Sequence, residues 1–77
     1  MSIKAKVVQV ISKQLNLEES AVALEAHLMN DLGADSLDCV EIVMALEDEF
    51  AVEFLDKDIK DIVIVSELIR FIEDAAK

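Results

Sequence analysis

Hydrophobic residues along the 77-residue chain repeat at helical spacing in three segments. The first segment follows Ser2, a residue type that caps helices, and its apolar positions share one face at Ile3, Val7, Val10, Ile11 and Leu15. The last segment repeats this pattern at Val65, Leu68, Ile69, Ile72 and Ala76, with Arg70, Glu73, Asp74 and Lys77 toward water. We therefore predict a first helix of about 13 residues and a last helix that carries these positions.

The middle segment carries two apolar strips instead of one. Gly33 permits a sharp turn, and Asp35 can cap a helix that begins near Ser36 and runs to about Phe50, with Asp38 completing an approximate capping box. The core face of this helix consists of Cys39, Ile42, Val43, Leu46 and Phe50. A second strip consists of Leu37, Val40 and Met44, bordered by Glu41, Glu47 and Asp48. This strip either packs under a loop or forms a docking face, and its charged border favours docking.

The connecting segments contain enough apolar residues to be ordered. Residues 16–30 predict a long loop pinned across the bundle, with a short helical turn in it. After a connector, Asp56 can cap a short helix that includes Ile62. Residues 62–65 are β-branched, but no partner strand is evident, so we interpret them as a buried turn. The predicted fold is all-α, a single domain over residues 1–77 with three main helices, one short helix and a long loop between the first and second helices.

The net charge of the chain limits the classes of partner that it can bind. The net charge is −10, and every charged side chain from Gln14 to Asp56 is acidic. Such a field repels nucleic acid and anionic membranes and attracts proteins that carry basic patches. No apolar run approaches the roughly 18 residues of a membrane span, and the first residues do not have the pattern of a signal peptide. A single cysteine excludes an internal disulfide, and we expect a monomeric, cytoplasmic protein in a reducing compartment.

The chain offers little catalytic or metal-binding chemistry of its own. Its one histidine, His27, lies in the long loop, and no nucleophile motif surrounds Ser36. An EF-hand calcium loop would require different residues at Gly33, Ser36 and Ile42. Cys39 falls in the core stripe and is interpreted as a small buried hydrophobe. We predict neither an enzyme nor a metal site, which leaves Ser36 as a helix cap or as a site for an anionic group at a helix start.

Residues 32–38, Leu-Gly-Ala-Asp-Ser-Leu-Asp, form the most distinctive motif of the chain. Together with Val40-Glu41 and residues 43–47, Val-Met-Ala-Leu-Glu, this motif resembles the acyl carrier proteins of dissociated fatty acid synthesis. The resemblance implies that a separate, magnesium-dependent transferase attaches 4′-phosphopantetheine to Ser36. It further implies that the thiol of this cofactor carries growing fatty acyl chains as thioesters. Asp35 and Asp38 would help the transferase and its metal to engage the site.

The resemblance also implies a partner face and an acyl cavity. The partner face would bind fatty acid synthesis enzymes and acyltransferases through their basic patches, and it would consist of Leu37, Val40, Glu41, Met44, Glu47 and Asp48. The cavity would shelter the acyl chain among Leu28, Leu32, Ile42, Leu46, Ile62 and Leu68. Two alternatives stay open at this point. The chain could carry another acyl group, such as a polyketide, an aminoacyl group or a specialised lipid precursor, or it could be a helical interaction module without an arm.

Overall fold

The computed structural model describes residues 2–54 and 63–75 and shows a helical protein. Helix α1 spans Ile3–Leu15, a short 3₁₀ helix spans Glu19–Ala21, helix α2 spans Ser36–Phe50 and helix α3 spans Val65–Ala75. These three main helices, with the long loop between α1 and α2, confirm the predicted architecture. The short helix predicted from Asp56 to Ile62 lies outside the described residues, as do Ala76 and Lys77.

Helix α1 begins and ends where the sequence provides capping residues. The Ser2 hydroxyl accepts a hydrogen bond from the Ala5 backbone N–H at 3.1 Å, which satisfies one of the free donors at the helix start. At the other end, Asn16 takes the left-handed conformation with a φ of 56°, a geometry that asparagine tolerates better than most residues. Lys6 forms an ion pair with Glu49 of α2 at 2.9 Å. This partly exposed ion pair connects the surfaces of α1 and α2.

The long loop is tied to the start of α3 by main-chain hydrogen bonds. The Leu28 N–H donates to the Val63 carbonyl at 2.8 Å, and the Val65 N–H donates to the Ala26 carbonyl at 3.2 Å. Between these bonds, His27 and Ile64 form an isolated antiparallel bridge. The described residues contain no strand, in agreement with the prediction of a turn, but this single bridge ties the turn to the long loop. A bridge of one residue pair produces no alternation of polar and apolar residues, and the sequence pattern could not reveal it.

His27 organises the turn that leads toward α2. Its Nδ1 atom accepts hydrogen bonds from the backbone N–H groups of Met29 at 3.2 Å and Asn30 at 3.1 Å. The Asp31 carboxylate accepts the His27 backbone N–H at 2.7 Å, and Gly33 then turns the chain with a φ of 79°. This φ value lies in the left-handed region, which glycine adopts without steric cost. The assignment of His27 to a loop and of Gly33 to a sharp turn is confirmed.

The core lies between the three helices and is closed on one side by the long loop. Residues with no measurable exposure come from every main helix, and they include Val7 and Ile11 of α1, Ile42 and Leu46 of α2, and Leu68 and Ile72 of α3. Leu28 from the loop is 1% exposed and joins the same cluster. The core thus fixes α2 with one face inward and the other open to solvent.

Among residues 2–54 and 63–75, no helix combines the length and the apolar character of a membrane span.

Candidate functional site

Helix α2 starts at a complete capping box. The Asp38 backbone N–H donates to the Asp35 carboxylate at 2.8 Å, and the Asp35 backbone N–H donates to the Asp38 carboxylate at 3.3 Å. Asp35 itself has extended backbone angles, as an N-cap requires. The structure thus confirms the predicted cap and shows that an aspartate can fill the position that glutamate or glutamine usually takes.

Ser36 is the first residue of α2 and is exposed to solvent. Because Asp35 supplies the cap, the Ser36 hydroxyl is not needed for that purpose. Within residues 2–54 and 63–75, this hydroxyl has no hydrogen-bond partner. The backbone N–H groups of Ser36 and Leu37 also have no acceptor in this part of the chain. An exposed hydroxyl beside free N–H groups at a helix start is suited to carry a phosphate ester.

The two carboxylates of the capping box set the electrostatics around Ser36. Both lie within one Debye length, about 8 Å, of a group attached to the serine, so they repel a phosphate there. Each also accepts a backbone N–H bond, which holds it at the helix start. No cluster of three or more metal-ligating side chains occurs among the described residues. A covalent group on Ser36 would therefore be flanked in sequence by two carboxylates that the helix start holds in place.

The cap at Asp35 should have a measurable effect on stability. We expect Asp35→Ala to lower the free energy of unfolding by about 0.5–2 kcal/mol, because the Asp38 N–H loses its acceptor. Asp35→Asn retains a capping oxygen and should stay within a few tenths of a kcal/mol of the unsubstituted protein. Urea unfolding of both variants measures this difference. Equal destabilisation by alanine and asparagine would show that charge, and not the cap, is responsible.

The second apolar strip of α2 faces solvent. Leu37 is 66% exposed, Met44 is 58% exposed and Val40 is 38% exposed. The alternative that this strip packs under the long loop is therefore wrong. Contiguous exposed apolar side chains with a charged border are typical of protein-binding surfaces. We call Leu37, Val40 and Met44 with the bordering Glu41, Glu47 and Asp48 the docking strip.

The acidic border of the docking strip is not uniform. Asp48 is exposed, whereas Glu41 accepts a hydrogen bond from the Gln14 side-chain amide of α1. Glu47 is half-buried, and its carboxylate accepts the backbone N–H of Phe54 at 2.8 Å. Neither hydrogen bond could be predicted from the sequence. The positions of Gln14 and Phe54 relative to α2 depend on the path of the chain outside the helix. The periodicity of one helix gives no information about that path.

Five of the six residues predicted to line an acyl cavity lie in or against one apolar cluster, and the sixth lies outside the described residues. Leu28, Ile42, Leu46 and Leu68 are at most 1% exposed and belong to one core cluster. Leu32 is partly buried and packs against this cluster. The sixth residue, Ile62, belongs to the part of the chain that the structure does not describe. The sequence thus identified an apolar interior directly beneath α2.

Cys39 lies one turn after Ser36 but faces the core. It is 7% exposed, and burial raises the pKa of its thiol above the ordinary value, with smaller contributions from the charges of Asp38 and Asp35. A protonated, buried thiol is a poor nucleophile. The interpretation of Cys39 as a small core residue is confirmed.

Alkylation by iodoacetamide should report the state of Cys39. Because its pKa is raised, the folded protein should react much more slowly than free cysteine at pH 7, and the rate should increase only above the usual thiol pKa of about 8.5. The unfolded thiol loses its proton at a lower pH than the folded thiol. Cys39 therefore stabilises the folded state fully below the unfolded-state pKa, and this stabilisation is lost as the pH rises through the folded-state pKa. A reaction at pH 7 as fast as that of free cysteine would contradict this account.

Two comparisons with known proteins identify the class to which this chain belongs. The family model described as the phosphopantetheine attachment site matches residues 5–72, which include all of α2 and the whole core. Over 74 residues the chain is 45% identical to the acyl carrier protein of Helicobacter acinonychis (strain Sheeba), an alignment that covers 96% of this chain and 95% of that protein. The chain belongs to the acyl carrier protein family.

Membership in this family assigns the chemistry to a cofactor. The protein is an acyl chain carrier, not an enzyme, and its cofactor is phosphopantetheine. When attached, this cofactor supplies a thiol that holds acyl groups as thioesters. The start of α2 fits such a group, because within residues 2–54 and 63–75 the exposed Ser36 hydroxyl has no hydrogen-bond partner and stands beside backbone N–H groups that have no acceptor.

Proposed function

We propose that Ser36 is the attachment residue for 4′-phosphopantetheine and that the protein carries growing fatty acyl chains for the enzymes of fatty acid synthesis. The observation that supports this most is the Ser36 hydroxyl, which is exposed and free of hydrogen bonds within the described chain. In this proposal Asp35 and Asp38 keep the serine at the helix start and offer carboxylates to the metal of the transferase. The N–H groups of Ser36 and Leu37 would stabilise the negative charge of the phosphate at the helix start.

The proposed partners are proteins with basic patches that bind the docking strip. They comprise the phosphopantetheinyl transferase, the fatty acid synthesis enzymes and acyltransferases. The exposed apolar side chains Leu37, Val40 and Met44 would fill shallow apolar sites, while Glu41 and Asp48 would attract Lys and Arg side chains. We further propose that the carrier acts as a monomer in the cytoplasm, where the one free cysteine of the described chain, Cys39, stays reduced.

The interior beneath α2 is proposed to shelter the acyl chain. Leu28, Leu32, Ile42, Leu46 and Leu68 form a continuous apolar surface, and Ile62 completes the proposed set. The core of a domain of this size is small, so its helices can separate locally at modest cost. An acyl chain that enters there replaces water contacts with apolar contacts, which favours the loaded state.

Loading followed by peptide mapping tests the attachment residue. The full chain is incubated with coenzyme A, Mg²⁺ and a carrier-protein transferase and is then digested and analysed by tandem mass spectrometry. The proposal predicts one phosphopantetheine on the peptide that contains Ser36 and none on Ser2, Ser12, Ser20 or Ser66. A chain that gains no mass, or one that is modified at another serine, would overturn the proposal.

Charge reversal tests the docking strip. We expect Glu41→Lys to slow association with the transferase by about tenfold at low salt, because long-range attraction accelerates encounter, and to weaken the salt dependence of the rate. Glu73→Lys changes the net charge equally on α3 and serves as the control. Stopped-flow measurements of both variants over a range of salt concentrations give the comparison. Identical slowing by the two variants would show that total charge matters and that the docking strip does not.

A further inference from the structure

The side chain of His27 caps the turn that follows it in the long loop. Its Nδ1 atom accepts the backbone N–H groups of Met29 at 3.2 Å and Asn30 at 3.1 Å. These donors lie two and three residues after His27, which is the spacing at which an N-cap side chain satisfies the first turn of a helix. The His27 carbonyl accepts the N–H groups of Asp31 and Leu32 at 2.9 and 3.1 Å, so the turn over residues 28–32 begins at this residue.

The two bonds to Nδ1 determine which form of the imidazole can act as the cap. Both donors are backbone N–H groups, so the ring nitrogen that they reach has to be an acceptor. A neutral imidazole has one acceptor nitrogen, and these bonds assign its proton to Nε2. A protonated imidazole carries a hydrogen on both nitrogens and accepts no bond. Protonation of His27 would therefore leave the Met29 and Asn30 N–H groups without this acceptor and would place a positive charge beside them.

Histidine differs in this respect from the side chains that cap the helices of the described chain. Ser2 caps α1 with a hydroxyl and Asp35 caps α2 with a carboxylate, and both groups remain acceptors between about pH 5 and 8. His27 is the only histidine among the 77 residues, and histidine is the side-chain type whose charge ordinarily changes in this range. The residue is half-buried, so water reaches it. Of these three caps, the one at His27 is the one that mild acid can remove.

The capped turn is connected to the core and to the start of α3. Ala26 and Leu28, on either side of His27, are buried in the core cluster. The Leu28 N–H donates to the Val63 carbonyl at 2.8 Å, and His27 itself forms the bridge with Ile64. Loss of the cap would therefore loosen a segment that closes one side of the core.

The charged groups around the cap are acidic. The Asp31 carboxylate accepts the His27 backbone N–H at 2.7 Å. The segment that pairs with the loop, residues 63–64, carries no charge, and the nearest charged residues in the described sequence are Glu25 on the loop and Glu67 on α3. None of these groups repels a proton from the imidazole. Protonation is opposed by the two N–H groups that the cap itself binds.

We propose that His27 is a positioning residue that holds residues 27–32 closed while its imidazole is neutral and releases this segment when Nδ1 takes a proton from water in mild acid. The step breaks only hydrogen bonds. Because Leu28 is carried by this segment, acid would also loosen one wall of the apolar interior. That consequence rests on the proposed function, whereas the pH-dependent cap does not.

Nitrogen-15 NMR of the full-length protein tests the cap itself. We expect the Nε2–H tautomer at about pH 7.5, and between about pH 7.5 and 5.5 the Met29 and Asn30 amide resonances should shift together with those of the imidazole. The Asp38 amide, which the Asp35 carboxylate caps, is the internal control and should stay constant. A proton on Nδ1 at the higher pH, or loop amides that do not respond while the imidazole titrates, would overturn the proposal.

Amide exchange measures the release of the segment. We expect the protection factor of the Leu28 amide, relative to that of Ile72, to fall about fivefold between about pH 7.5 and 5.5, an effect of the size that removal of a cap produces. In His27→Asn the side-chain oxygen can accept the same bonds at both pH values, so this ratio should not change. His27→Ala should show the lower ratio at both pH values. A constant ratio in the unsubstituted protein, or an equal fall in His27→Asn, would contradict the proposal even if the alanine variant does not fold.

An octanoyl chain on the Ser36 arm tests the consequence for the interior. At about pH 7.5 its terminal methyl group should show nuclear Overhauser effects to the Leu28 methyl groups, and these should weaken at about pH 5.5 in the unsubstituted protein but not in His27→Asn. Effects that do not change while the cap is released would contradict the loosening of the interior. Failure of loading, or no such effect at either pH, would refute the proposed function alone, because the tautomer and exchange measurements need no arm.

Discussion

Replacement of Ser36 by alanine is expected to abolish phosphopantetheine loading and to leave the fold intact. The serine hydroxyl is the group that would be esterified, and none of the other side chains at the start of α2 offers a hydroxyl. Stability should change by less than about 0.5 kcal/mol, because Asp35 supplies the helix cap and the Ser36 hydroxyl has no partner among the described residues. Intact mass after incubation with coenzyme A, Mg²⁺ and transferase measures loading, and urea unfolding measures stability.

Ser66→Ala is the matched control for this substitution. Ser66 is also an exposed serine in the first turn of a helix, α3, so its removal has a similar chemical effect at a different place. We expect this variant to load as completely as the unsubstituted protein. A gain of one phosphopantetheine by Ser36→Ala would contradict the assignment of the site. Loss of loading in Ser66→Ala would point to a requirement for both helix starts.

Truncation of Leu46 is expected to have the largest effect on stability. Leu46 has no exposed surface and lies at the centre of the apolar interior beneath α2. Leu→Ala changes at such positions cost about 2–5 kcal/mol, a large fraction of the roughly 4–12 kcal/mol expected for a domain of this length. The urea midpoint of Leu46→Ala should therefore fall steeply. The same interior is proposed to hold the acyl chain, so an attached octanoyl chain should raise this midpoint more in Leu46→Ala than in the unsubstituted protein.

Met44→Ala provides the comparison on the same helix. Met44 is 58% exposed, and its truncation should change the unfolding free energy by no more than about 0.5 kcal/mol. Similar urea midpoints for the two variants would contradict the assignment of an inner and an outer face to α2. An octanoyl chain that stabilises neither variant would argue against the interior as its binding place.

The sequence predicted those parts of the molecule that depend on neighbouring residues. The bounds of α2 follow from the Asp35 cap at one end and the core stripe through Phe50 at the other, and both signals lie within the helix itself. The same holds for α1 between Ser2 and Asn16. The exposure of the docking strip was predicted as well, because α2 has more apolar positions around its axis than a single core-facing side can contain.

The features that could not be predicted depend on contacts between distant segments. The His27–Ile64 bridge joins two irregular segments through a single residue pair, which has no sequence period. The Glu47–Phe54 bond spans a turn in which Ala51 takes the left-handed conformation, and alanine gives no local signal for that geometry. The sequence therefore does not reveal that Glu47 is half-buried and accepts a backbone N–H while the adjacent Asp48 is exposed.

The role of Ser36 as the attachment residue is tested by the mass of the protein purified from cells that contain a carrier-protein transferase. We expect a population with one phosphopantetheine on Ser36, partly as free thiol and partly extended by fatty acyl groups that hydroxylamine removes. Peptide mapping locates the arm, and the released acyl groups identify the cargo. A protein that remains entirely unmodified in such cells, or that carries its arm on a residue other than Ser36, would contradict the account.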